Sequence, residues 1–97
     1  MIYLKIHKQE GENLVAACDR EIMGKTFSDG AIRFKIEKKF YGTELIKIEE
    51  FIAVLKDATT ANLMGNKVVD AAIDNGFVDK NCVLEIAGIK HAQIVSI

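Results

Sequence analysis

A chain of 97 residues and 10.8 kDa holds a single domain, residues 1–97, because two independent cores would not fit. Hydrophobic residues at 49% and charged residues at 28% exclude a disordered chain, and no run of about 18 uncharged apolar residues exists to span a membrane. Thirteen basic against fourteen acidic residues give a net charge of −1, which excludes the positive excess of a dedicated DNA binder and leaves nucleic-acid contact to a local patch.

Ile2, Leu4 and Ile6 alternate with Tyr3, Lys5 and His7, the period of a half-buried strand. The start shows no basic region followed by an apolar run and a small-residue cleavage site, so the expected location is the cytoplasm. Gln9-Glu10-Gly11-Glu12 reads as a hairpin turn, and Leu14–Cys18, apolar on both faces, as an interior strand. Asp19 is positioned to cap a short turn over Arg20–Met23, which Gly24 stops. After the turn residues Ser28-Asp29-Gly30, Ile32, Phe34, Ile36 and Phe40 alternate with Arg33, Lys35, Glu37 and Lys39, which predicts one long strand closed by Tyr41-Gly42.

From about Ile48 the period changes. Phe51, Ile52, Val54, Leu55 and Ala58 form an amphipathic helix stripe, with Glu49 and Glu50 in the first turn. Thr60 is read as the N-cap of a second helix from Ala61 to about Asn75, stopped by Gly76, with Gly65 inside it to allow close packing. Asn81–Ala87 and Ala92–Ile97 read as closing strands bent at Gly88. The predicted fold is α+β: a mixed or antiparallel sheet of about five strands with two consecutive helices on one face. Its order is three strands, two helices, two strands.

Several constellations carry chemistry, each beside a plainer explanation. Gly24-Lys25-Thr26 looks like the end of a phosphate loop, but Asp19 stands where that motif needs a glycine, so an ordinary turn is expected. His7, Cys18, Cys82 and His91 lack the close pairs of a zinc site, so no metal and no cofactor are expected. Cys18, Asp19 and His91 are weak catalytic candidates as nucleophile, orienter and base; burial of Cys18 is the competing reading. Arg33, Lys35 and Lys39, followed by Tyr41, are candidates to track a phosphate backbone and stack a base, although lysines also guard edge strands. His91 and Gln93 share one side of the last strand, and Asn62 lies near a helix start.

The pieces Ala17-Cys18-Asp19, Gly24-Lys25-Thr26-Phe27, Phe40-Tyr41-Gly42, Ala58 to Gly65 and Gly88 to Val95 together resemble the short archaeal family catalogued as domain of unknown function 424. The likeness runs from Tyr3 to Ile97, most tellingly in Ala-Asn-Leu-x-Gly and His-Ala-Gln. It implies a small archaeal cytosolic protein with no assigned activity and an association with RNA or translation. Asp19, Lys25, Asn62, His91 and Gln93 are the polar residues in these pieces, expected as ligand-binding residues sharing one cleft. The expected function is a non-enzymatic module binding RNA or a translation-related protein, without membrane or DNA partners. A small enzyme built on Cys18, Asp19 and His91 is the first alternative. A structural subunit pairing by its strand edge, with itself in a homodimer or with a partner, is the second.

Overall fold

The alternation at the start forms strand β1, Ile2–Gln9, in the computed structural model, which describes residues 1–95. Glu10 and Gly11 then take positive φ, 47° and 79°, the backbone that joins right-twisted strands in a tight hairpin. Strand β2, Glu12–Asp19, returns antiparallel in full register, from Gln9↔Glu12 to Ile2↔Asp19. A 3₁₀ turn at Arg20–Ile22 leads into a second hairpin, β3 (Thr26–Asp29) and β4 (Ile32–Lys35). A one-turn helix α1 (Lys38–Tyr41), the short β5 (Leu45–Ile46) and helix α2 (Ile48–Leu55) follow. Strand β6 (Thr60–Met64), helix α3 (Asn66–Asp74), a 3₁₀ turn at Lys80–Cys82, β7 (Leu84–Ile86) and β8 (Ile89–Val95) complete the described chain.

Six strands make one mixed sheet in the order β5-β1-β2-β6-β8-β7, and only β2 and β6 run parallel. The α+β class and the helix-covered face follow the sequence reading. On that face Ile2, Leu4, Val15, Ala17, Ala61, Leu63 and Ala92 meet Phe51 and Leu55 of α2 and Val68, Val69 and Ala72 of α3. The opposite face is also covered. There Ala16, Cys18, Met64 and Ile89 pack under Ile36 and Tyr41, flanked by Phe27, Phe34 and Phe40 from the hairpin and α1.

Three segments differ from their predicted form. The segment read as the start of a long second helix is instead strand β6 followed by the shorter α3. Ala61 and Leu63 face the helices while Asn62 and Met64 face the hairpin side; the strand is five residues long, and its alternation of Thr60 and Asn62 with Ala61 and Leu63 is broken by Met64 before the helical period of α3 begins. The strand predicted over Ile32–Phe40 ends at Lys35, and Phe40 sits on α1, where it packs at 89° against the ring of Tyr41. In the last hairpin, β7 is shortened by the 3₁₀ turn and β8 begins already at Ile89; Ser96 and Ile97 of the predicted closing strand lie outside the described residues.

Candidate functional site

Cross-strand register decides which polar residues can meet. On the hairpin side of the sheet, one row runs Tyr3, Cys18, Met64, His91, Leu84 and the next runs Lys5, Ala16, Asn62, Gln93. Asp19 follows Cys18 and therefore points to the other side, toward α3. Asp19 and His91 thus lie on opposite faces of the sheet. The expected single cleft of Asp19, Lys25, Asn62, His91 and Gln93 does not form, and neither does a Cys18–Asp19–His91 catalytic set.

Asp19 has a structural task. It does not cap the 3₁₀ turn beside it. Its carboxylate accepts from the backbone N–H of Lys67 at 3.0 Å and of Val68 at 2.9 Å, capping the N-terminus of α3 from 48 residues away in sequence. Gly65 makes room for it: with φ 116°, an added Cβ would sit 2.3 Å from the Asp19 Cγ. Burial pushes the Asp19 carboxyl above its ordinary pKa, and the two N–H donors pull in the opposite direction. Beside this cap, Lys67 Nζ donates to exposed Glu21 at 2.8 Å.

Cys18 is fully buried, and burial followed by the charge of Asp19 pushes its thiol pKa up to about 12. A nucleophilic cysteine needs the reverse shift. Tyr41 is buried as well, its hydroxyl pKa raised to about 12 chiefly by burial, and its O–H donates to Asn62 Oδ1 at 3.1 Å. The ring expected to stack a base is therefore a pillar between α1 and β6. Lys25 is exposed; its backbone ties the hairpin base together through Ile22 and Ile36. Gln93 is exposed beside Asn62.

His91 occupies the most site-like position. It is half-buried on β8 and opens into a groove of about 490 Å³ between the hairpin, α1 and β8, walled by Phe34, Phe40, Met64 and Ile86, with Lys35 at its mouth. Its ring makes no hydrogen bond to a described residue, and burial holds the imidazole below the ordinary value of 6.5. Lys35, Lys38 and Lys39 border an adjoining hollow of about 290 Å³ beside Gly24. Phe40 is fixed in place from below: its carbonyl meets His7 Nε2 at 2.8 Å and its ring stacks on the His7 imidazole at 5.1 Å. The sequence pattern puts Phe34 and Phe40 on the inner face of one strand and Met64 on the apolar face of a helix, and leaves Lys38 of the basic cluster out of the contact candidates. A strand-to-helix change after Lys35 carries no period that would have exposed them. Among the described residues no group of three or more His, Cys, Asp or Glu is arranged to hold a metal ion.

A family profile described as "Protein of unknown function (DUF424)" matches residues 7–97. The chain belongs to that family. A crystal structure of an uncharacterized conserved protein from Methanopyrus kandleri shares the fold of this DUF424 chain, with a TM-score of 0.77 at 20% identity over 99% of this chain and 93% of that one. No curated protein matches it. The pieces that carry the DUF424 likeness fall at the two places just described. Ala61 to Gly65 covers most of β6 and the close approach to Asp19, and His91 to Gln93 lies on β8, where His91 lines the groove. No helix among the described residues is long and apolar enough to cross a membrane.

Proposed function

We propose that this protein is a non-enzymatic binding module that takes single-stranded RNA on the face built by the β3–β4 hairpin, α1 and β8. Charge segregation carries the reading. Residues 25–39 hold five of the thirteen basic side chains and two of the fourteen acidic ones, a net +3 against −4 for the rest of the chain. Lys25, Arg33, Lys35, Lys38 and Lys39 are all exposed, and Lys5 reaches the same edge by donating to the Lys39 carbonyl at 3.1 Å. The ion pairs among the described residues, Lys67–Glu21 and Lys90–Asp70, engage none of them. Unpaired cations around a groove with aromatic walls match what single strands offer: a phosphate chain and splayed bases. The Cys18 thiol, buried and protonated, gives this face no nucleophile.

The test is a fluorescence anisotropy titration of a labelled single-stranded oligoribonucleotide across salt. Four phosphate contacts correspond to a slope of about −3 in log K against log[salt], a roughly fifty-fold loss of affinity from 50 to 200 mM. The double substitution Lys35→Glu and Lys39→Glu is expected to weaken binding at least about tenfold and flatten that slope. An oligomer that stays unbound at the lowest salt refutes the reading.

A further inference from the structure

We propose that the groove between the hairpin and β8 is a pocket for one unstacked heteroaromatic base, with His91 reading its edge and Lys35 meeting the attached phosphate. The proposal rests on the RNA reading for its source of bases, and its test separates the two.

Four observations converge on this occupant. The groove, about 490 Å³, lies within the range of small-ligand pockets, roughly 300–1,000 Å³. Its walls are flat or polarizable apolar groups: the rings of Phe34 and Phe40 on one side and the Met64 thioether on the floor. Its polar group stands on a rigid support. His91 lies on an interior strand of the sheet, paired to Met64 on one side and to Leu84 of the edge strand on the other. Its ring nitrogens are unclaimed by any described residue. Burial favours the neutral imidazole, which presents one donor and one acceptor, the alternation found along the Watson–Crick edge of a base. The mouth is cationic on the side where Lys35, Lys38 and Lys39 adjoin it, which suits a phosphate outside and a base within. Glu37 is the one carboxylate on the rim, a candidate acceptor for an exocyclic amino group.

Phe34 is held against Phe27 across the hairpin, ring centroids 5.6 Å apart, and Phe40 against His7 and Tyr41. The walls are therefore set before a ligand arrives. Asp29 Oδ2 accepts from the Ala87 N–H at 3.0 Å, which fastens the hairpin tip to the β7–β8 turn and fixes the width of the groove.

Three ligands decide the matter in one set of titrations: a labelled single-stranded RNA octamer, the same backbone with abasic sugars, and free nucleoside 5′-monophosphates followed through the His91 imidazole proton resonances. The base-bearing octamer is expected to bind about tenfold tighter than the abasic one at equal salt, given the strength of base–aromatic stacking. His91→Ala is expected to shrink that ratio severalfold while leaving the salt slope intact, and His91→Gln, which keeps a donor and an acceptor, to recover part of it. Equal binding of the two octamers, unchanged by His91→Ala, overturns the pocket while leaving RNA binding through phosphates in place. If neither octamer binds, the RNA reading falls and the mononucleotides decide alone. A His91 shift on adding them supports the pocket with a free nucleotide as its source, and a silent imidazole overturns it.

Discussion

Gly65→Ala tests how the first half of the chain is locked to the second. The new Cβ would stand 2.3 Å from the Asp19 Cγ, 2.6 Å from Oδ1 and 2.7 Å from Cβ, and the backbone would hold an alanine at φ 116°. No alanine adopts that conformation cheaply; the strain is of order 1–3 kcal/mol. The carboxylate has to move, which breaks its bonds to the N–H groups of Lys67 and Val68 and costs about 1 kcal/mol of helix capping. Together these give about 3 kcal/mol. With an unfolding entropy of roughly 2.1 cal/mol/K per residue over 97 residues, Tm falls by roughly 15 °C, read by thermal circular dichroism. The mechanism also fixes a coupling. Asp19→Ala removes the Cγ and Oδ1 that the new methyl strikes, so the double variant is expected to be at least about 1 kcal/mol more stable than the sum of the single effects predicts. A Gly65→Ala protein within about 0.5 kcal/mol of the parent, or strictly additive effects, would refute the reasoning.

Further outcomes are expected elsewhere. Alkylation of the native protein strikes exposed Cys82 quickly and buried Cys18 only on unfolding, reversing the order a Cys18 nucleophile requires; mass spectrometry of a time course reads it. The His91 imidazole titrates below 6.5 by NMR. Because its folded pKa is lowered, the unfolded chain takes the proton first. Stability is therefore lost as pH falls from 6.5 toward the folded value, and His91→Gln removes that part of the slope in denaturant titrations. Tyr41→Phe takes the donor from Asn62 Oδ1 and costs about 1 kcal/mol by the same titrations.

Legibility in the sequence followed the physics of each segment. β1 was plain because Ile2 and Leu4 point into the core and Ile6 continues their alternation with Tyr3, Lys5 and His7, although Ile6 itself is exposed. α2 was plain because its Phe51 stripe faces a core and its Glu49–Glu50 end faces water. β6 was misread because it is only five residues long and Met64 breaks its alternation, and its neighbour α3 supplied the helical period that was extended backward over it. The role of Asp19 was invisible for a different reason. A cap delivered from 48 residues away leaves no local signature, and the turn beside Asp19 offered a nearer claimant. The groove was half legible. His91 stood out as a polar residue that packing did not require and Lys35 as one of a cluster of basic residues, whereas Phe34 and Phe40 were indistinguishable from core residues until the hairpin folded back over the sheet.

The most direct measurement is a backbone amide NMR map with a short single-stranded oligoribonucleotide. The expected shifts are confined to Arg33–Phe40 and to the β8 strand around His91, with α2 and α3 silent. Shifts concentrated on the α2–α3 face, or none at saturating oligomer, would contradict the proposed RNA-binding face.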